Sequence, residues 1–257
     1  MCLINFHWQT HPNYPLIVAA NRDEVYDRPT APAHFWQDFP FILAGRDLEQ
    51  YGTWLGVTTT GRFAALTNYR DPQTMYKAFD KSRGDLVKDF LTSSLSPVAY
   101  LENIRPKDNQ FNGFNLLVGT ADELFYYNNI EREIVEIVPG THSLSNHFLN
   151  TPWPKVIRGK NALQSVAEQN ERLTPAQLFP LLTDRNQAPK QKLPNTGIDQ
   201  SLEKKLSPLF IQTPTYGTRS STVLLIDQNG YVSFNERTYR KGSLQNELAF
   251  NFQIQKT

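Results

Sequence analysis

The only cysteine of the chain, Cys2, directly follows the initiator methionine. Cysteine is small enough for methionine aminopeptidase to remove Met1, which would leave a residue that carries a thiol and a free α-amine together. An α-amine has a pKa of about 7.7 to 8.0, so part of it is unprotonated at neutral pH and can accept the thiol proton as a general base. The position therefore predicts a nucleophile that brings its own base. The alternative is a buried structural thiol, because cysteine also behaves as a small hydrophobe.

Polar residues that could complete such a site follow two predicted strands and precede a predicted helix. If "CLINFHW" and "PLIVAANRDE" form an antiparallel hairpin through "THPNY", the end of the second strand returns to Cys2 with Arg22 and Asp23. "GRFAALTNYR" places Asn68 at the end of another strand, and "THSLSNH" places Asn146 before a helix. A thiol nucleophile needs orienting charges and donors for the oxyanion, so these residues are candidates. The alternative is a set of solvated turns and helix caps.

The stretches that would position these residues are mostly strands in the first half of the chain. Runs rich in β-branched and aromatic residues predict strands, and the turns "TTTG", "TAD" and "DQNG" predict antiparallel hairpins between them. Helical signals fall in the middle: a capping box at Ser82 and Asp85, the span from Trp153 to Gln169, and Thr174 with Pro175 as N-cap and N1. We read 187–195 as an exposed loop. The order predicts one α+β domain over 1–257.

Composition excludes several classes of function. The 26 Lys and Arg against 25 Asp and Glu leave a charge of +1 and no basic stripe, so we expect no nucleic-acid partner. One cysteine forms no internal disulfide, no signal peptide is recognised, and no apolar stretch reaches the roughly 20 residues of a membrane-spanning helix. We therefore expect a cytoplasmic protein without a transmembrane segment. A His-Glu-x-x-His motif, a thiolate zinc site and a P-loop are all missing, so we expect no metal site and no nucleotide chemistry.

Several motifs together resemble one known family. They are Met1 with Cys2, "LIVAANRDEVYDRP", "YGTWLG", "GRFAALTNYR", "NGFNLLVG", "SLSNHFLNTPWPK" and "YGTRSSTVLLID". The chain resembles the NRDE proteins over nearly its whole length. The animal members of that family are the transport and Golgi organisation protein 2 homologues. The family is similar to N-terminal nucleophile hydrolases, and most similar to the penicillin V acylase and bile salt hydrolase group. This resemblance implies a four-layer αββα sandwich of antiparallel sheets.

The same resemblance implies roles for individual residues. Cys2 would be the nucleophile, Asp23 would position its amine and thiol, and Asn68 and Asn146 would help to bind the oxyanion. In the acylases the orienting arginine lies some residues before the aspartate. Here Arg22 directly precedes Asp23, and it would point to the other face of a regular strand.

Arg219 in "YGTRSST" is a further candidate at the start of a predicted strand. It would pair with Asp23 or hold a substrate carboxylate. The alternative is an ordinary surface arginine.

Two functions of different classes follow, and a third is left open. The first is a hydrolase that cleaves a non-peptide amide or a related acyl bond through a Cys2 acyl-enzyme, with no cofactor required. The second is a non-enzymatic protein that binds and carries haem, a lipid or acyl-coenzyme A, because the family has been connected with haem trafficking and lipid metabolism. Haem would find possible axial ligands in Cys2 and five histidines: His7, His11, His34, His142 and His147. The third is an interaction protein with a degenerate active site. Oligomeric state does not follow from the sequence.

Overall fold

The computed structural model describes residues 2–74, 77 and 79–255. The chain divides into two compact units. One contains the residues up to Asp27 together with Pro139–Asn251, and the other contains Arg28–Val138 together with the residues from Phe252 onward. The predicted fate of Met1 lies outside the described residues, and the single domain expected from the sequence stays a prediction. Among the described residues, no helix is long and apolar enough to cross a membrane.

A six-stranded antiparallel sheet forms the framework of the first unit. Its strand order is β10-β1-β2-β11-β12-β13. The hairpins predicted on either side of "THPNY" and "DQNG" are both present, as β1 with β2 and β11 with β12. The strands are β1 (Cys2–Trp8), β2 (Leu16–Val25), β10 (Gly140–Leu144), β11 (Tyr216–Ile226), β12 (Tyr231–Arg240) and β13 (Ser243–Gln253).

Three helices belong to the first unit: α3 (Pro154–Gln169), α4 (Pro175–Leu178) and α5 (Gln200–Lys205). The predicted helix from Trp153 to Gln169 is confirmed, with Trp153 as N-cap. Thr174 and Pro175 are the N-cap and first residue of α4, as predicted. The core of the unit joins α3, α4 and the following 3₁₀ turn to β2 and β11 through apolar side chains that include Ile17, Ala19, Leu163, Leu178, Phe179, Val223 and Leu225. The 187–195 segment is a largely exposed loop with one short 3₁₀ turn, as predicted.

The second unit contains a seven-stranded antiparallel sheet in the order β3-β4-β5-β6-β7-β8-β9. Two helices, α1 (Arg83–Thr92) and α2 (Pro97–Ile104), pack with it around buried residues such as Trp36, Phe90, Tyr100, Phe114 and Tyr127. The strands are β3 (Thr30–Phe35), β4 (Ile42–Asp47), β5 (Leu55–Thr58), β6 (Phe63–Asn68), β7 (Phe114–Gly119), β8 (Leu124–Asn128) and β9 (Ile134–Glu136).

The start of α1 differs from the prediction in one detail. Ser82 is the N-cap, but its hydroxyl accepts from the backbone N–H of Gly84 at 3.3 Å, and the N–H of Asp85 donates to the backbone carbonyl of Ser82. The Asp85 carboxylate pairs with Lys88 at 2.6 Å. The capping box predicted there is therefore wrong, because the acidic side chain has a cationic partner on the next turn.

Helix α3 approaches β1 closely because Gly159 has no side chain. A Cβ atom at Gly159 would lie 2.3 Å from Oδ1 of Asn5. The Asn5 amide is itself held, since Oδ1 accepts from the Ser143 hydroxyl at 2.7 Å and Nδ2 donates to the Ala19 carbonyl at 3.3 Å. A larger residue therefore has to displace a buried, hydrogen-bonded side chain.

We expect Gly159→Ala to lower the free energy of unfolding by about 1–3 kcal/mol, the usual cost of overpacking. This sign is opposite to the gain of about 1 kcal/mol that alanine brings in an unconstrained helix. Urea denaturation of the wild type and the variant measures it. In an Asn5→Ala background the same substitution should cost less, because the opposing amide is gone. Equal costs in both backgrounds would contradict the contact.

Candidate active site around Cys2

The β1–β2 hairpin brings Cys2 to the end of the second strand, as predicted. Cys2 lies directly opposite Arg22, and Leu3 lies opposite Asn21. Residues that face each other across an antiparallel pair project from the same face of the sheet. The Cys2 and Arg22 side chains therefore share a face. Cys2 is 8% exposed and Arg22 is equally buried, so both are largely removed from water.

Asp23 projects from the opposite face, because side chains alternate along a strand. Its Oδ1 accepts from the hydroxyl of Thr218 at 2.7 Å, and its backbone carbonyl accepts from the Tyr216 hydroxyl at 2.9 Å. Asn21 shares this face, where it accepts from the Ser221 hydroxyl at 2.6 Å. The Asp23 carboxylate thus lies on the face opposite the Cys2 side chain, whereas the backbone N–H of Asp23 acts on the thiol.

Burial is the largest influence on the pKa values of the Cys2 thiol and the Asp23 carboxyl group. Burial raises the pKa of the Cys2 thiol, the Asp23 carboxylate raises that pKa further, and Arg22 and the backbone N–H of Asp23 lower it. Burial likewise raises the pKa of Asp23, against the attraction of the Lys155 ammonium and the Thr218 hydrogen bond. Since the thiol pKa is raised, Cys2 carries its proton at neutral pH. A nucleophilic role then requires a base beside it.

The two candidate arginines lie near the same end of β2. Arg22 forms a long ion pair with Glu24, at 3.9 Å. Arg219 sits at the β-bulge of β11 between Thr218 and Ser220, and its Nη1 donates to the Val25 carbonyl at 2.8 Å. The carboxylates that act on Arg219 are Glu24 and Asp27. The roles predicted for Arg219, pairing with Asp23 or holding a substrate carboxylate, stay predictions.

The two candidate oxyanion asparagines lie in different units. Asn146 is fully buried and follows β10, whose pairing of Leu144 with Ile4 directs the chain toward the start of β1. The hydroxyl of Ser145 lies 3.1 Å from the Cys2 carbonyl and 3.2 Å from Oδ1 of Asn146. Asn68 ends β6 in the second unit, where it pairs with Phe114. The oxyanion role of each stays a prediction from the family resemblance.

Lys155 is a residue of this region that the sequence reasoning missed. It is the second residue of α3 and is 2% exposed. The signal was present in "TPWPK", since a lysine in the first turn of a helix opposes the helix dipole. A lysine that destabilises its own helix in this way indicates that its charge has a role outside the helix.

The histidines proposed as haem ligands make other contacts. Both ring nitrogens of His7 lie 2.7 Å from threonine hydroxyls, and those of His11 contact the Asn170 carbonyl and the Asn13 backbone N–H. Nδ1 of His34 contacts the Pro32 carbonyl, and Nδ1 of His142 contacts the side-chain amide of Asn150. Nδ1 of His147 contacts the Thr151 hydroxyl. Haem binding stays a prediction. Within the described ranges, no group of three or more His, Cys, Asp or Glu side chains could hold a metal ion.

Two solved structures of one hydrolase have a similar fold. A cysteine-to-alanine mutant of conjugated bile acid hydrolase from Clostridium perfringens matches 100% of this chain and 98% of its own with a TM-score of 0.56 and 8% identity. An arginine-to-leucine variant of the same enzyme matches with a TM-score of 0.56 and 9% identity. At this identity the likeness shows the fold alone. It confirms the predicted α+β class and the N-terminal nucleophile hydrolase fold.

Relatives of known sequence match over most of their length. The "Transport and Golgi organization 2 homolog" of Mus musculus is 38% identical over 258 residues, 93% of each chain. The human homolog has the same identity and coverage, and the Drosophila melanogaster protein is 27% identical over 268 residues. The family model described as Transport and Golgi organisation 2 matches residues 1–241. This chain therefore belongs to the Transport and Golgi organisation 2 family.

Proposed function

We propose that the protein is a cysteine N-terminal nucleophile hydrolase that cleaves a non-peptide amide or a related acyl compound after removal of Met1. The observation that carries the proposal is the register of the first hairpin, which pairs the lone cysteine with Arg22, the residue before Asp23, at the start of a buried strand. The fold supports it, because conjugated bile acid hydrolase from Clostridium perfringens has a similar one.

The first half of the reaction forms an acyl-enzyme. The free α-amine of Cys2 accepts the thiol proton, and Sγ attacks the carbonyl carbon, whose π electrons move to the oxygen. Asn146, buried beside the start of β1, is the candidate donor to this oxyanion. As the tetrahedral intermediate collapses, the carbon–nitrogen bond breaks and the α-ammonium protonates the leaving amine. A thioester to Cys2 remains.

The second half releases the acid. Water attacks the thioester carbonyl while the α-amine takes one water proton. The carbon–sulfur bond then breaks, the sulfur regains that proton from the amine, and the carboxylic acid leaves. The raised pKa of the buried thiol fits this sequence, because a thiol that is protonated at neutral pH needs a neighbouring base to become a nucleophile.

Mass spectrometry of the protein purified from its own cells tests the proposal in two steps. The intact mass should be short by one methionine residue. The processed protein is then incubated with N-acyl amino acids, fatty acyl amides and p-nitrophenyl esters, quenched in acid and digested. At least one of these compounds should leave an acyl group on the peptide that begins with Cys2.

Protein whose thiol has first been blocked with chloroacetamide under denaturing conditions and then refolded is the control. It should carry no acyl group on that peptide. Full retention of Met1 would place the amine in a peptide bond and refute the mechanism. A processed protein that no compound of the panel acylates, in either a burst or a steady state, would favour the binding or interaction functions instead.

A further inference from the structure

Lys155 is a buried cation at the beginning of α3. Its side chain is 2% exposed, although lysines are almost never fully buried unless they are paired. It lies in the first helical turn, where the partial positive charge of the helix amino terminus repels a cation. Neither hydration nor the helix dipole favours a lysine there. A buried anion close to it is therefore required.

The first turn of α3 covers the start of β1. Trp153 and Val156 form a buried cluster with Leu3 and Leu209. Lys155 lies between the two α3 members of this cluster in the sequence, so its turn rests on the strand that begins at Cys2.

Asp23 is a buried anion on this side of the sheet. Leu3 faces Asn21 across the β1–β2 pair, and Asp23 shares the face of Asn21 because it lies two residues farther along the strand. Asp23 is 1% exposed. The strongest attractive charge that acts on its carboxylate is that of Lys155. A buried cation and a buried anion on the same side of the sheet offset part of each other's desolvation cost.

We propose that Lys155 is the positioning residue of the candidate active site: its ammonium pairs with the Asp23 carboxylate, keeps it ionised and holds it against the α-amine of processed Cys2. This inference deepens the proposed function and rests on it. In the acylases that the chain resembles, the orienting cation is an arginine some residues before the aspartate. Here the cation comes from α3, and Arg22 lies on the opposite face with the thiol.

Few other groups act on the Asp23 carboxylate. The titratable ones are the chain's α-amino group, which also attracts it, Cys2 on β1, Glu24 on β2 and Tyr26 just after it, and β11 offers the uncharged hydroxyl of Thr218. Glu24 repels the carboxylate, and the Thr218 hydrogen bond stabilises its ionised form. Lys155 is thus the side chain whose removal should change its ionisation most.

The test follows the carboxyl carbon of Asp23 by ¹³C NMR as pH is varied, with its signal assigned from an Asp23→Asn protein. In Lys155→Met the titration midpoint should rise by about 1–3 pH units, the usual effect of losing an opposite charge at contact distance. Methionine preserves the unbranched apolar stem. Lys160→Met, on the same helix, is the matched control and should leave the midpoint unchanged.

A midpoint in Lys155→Met that stays within the range of the control would overturn the proposal. If Lys155→Met does not fold, Asp23→Asn provides the reciprocal measurement. Asparagine still accepts from Thr218 but carries no charge, so the titration of the Lys155 side chain should move to lower pH than in the wild type. An unchanged lysine titration would equally overturn the pairing.

Turnover separates this inference from the proposed function. Once an acyl compound is found, the acidic limb of kcat/KM should move to higher pH in Lys155→Met, because Asp23 then ionises later, and Lys155→Arg should restore it. An acylated Cys2 with an unmoved Asp23 midpoint would retain the hydrolase and refute the role of Lys155. A shifted midpoint without any acylation would retain the ion pair and refute its positioning role together with the hydrolase.

Discussion

The Cys2→Ala protein is expected to form no acyl-enzyme and to lose turnover of any acyl compound that the wild type hydrolyses, by about 10⁴-fold or more. Alanine leaves the α-amine, Arg22 and Asp23 in place and removes only the sulfur that forms the covalent intermediate. Cys2→Ser should retain a small residual rate, because a hydroxyl is a weaker nucleophile that the same amine can still assist. Initial rates and the mass of the amino-terminal peptide measure both effects.

The comparison is valid only where the variants are processed and folded like the wild type. Alanine and serine are both small enough for removal of Met1, which the intact mass checks, and unfolding curves check stability. If Cys2→Ala keeps a tenth or more of the turnover, the thiol is not the nucleophile. Cys2 would then be a buried structural thiol, the alternative that its sequence position also allows.

The position of Cys2 could be predicted from the sequence because it depends on one short hairpin. Two apolar runs separated by "THPNY" fix an antiparallel pair, and alternation along the strands then fixes which residue faces which. The face of the sheet on which each side chain of these two strands lies could be predicted for the same reason. Counting back through the turn puts Arg22, and not Asp23, on the face of Cys2.

Lys155 could not be placed in this way. Its place over the start of β1 depends on how α3 packs over that strand, and Gly159 sets this packing through a close approach to Asn5. Such long-range packing leaves no periodic signal in the chain. The strands β3 and β4 were also missed, because "TAPAHF" and "ILAGRD" combine proline, glycine and charge in short runs with no clear alternation.

The second large effect concerns Asn21, the first letter of "NRDE", and it is an effect on stability. Its Nδ2 donates to the carbonyls of Leu182 and Leu209, both at 2.9 Å, and its Oδ1 accepts from the Ser221 hydroxyl. The side chain is fully buried. We expect Asn21→Leu to lower the free energy of unfolding by about 3–5 kcal/mol, since three buried polar groups lose their partner at about 1–3 kcal/mol each and relaxation recovers part of the loss.

Urea unfolding measures this cost, and two variants calibrate it. Ser221→Ala removes a single hydrogen bond and should cost about 1 kcal/mol, whereas Glu24→Gln changes a half-exposed side chain and should stay within about 0.5 kcal/mol of the wild type. If Asn21→Leu lowers the free energy of unfolding by less than about 1 kcal/mol, the hydrogen bonds from Asn21 to the Leu182 and Leu209 carbonyls do not stabilise the fold as proposed. If the larger cost is found, Asn21 stabilises the fold, and loss of activity in its variants reflects unfolding and not chemistry at Cys2.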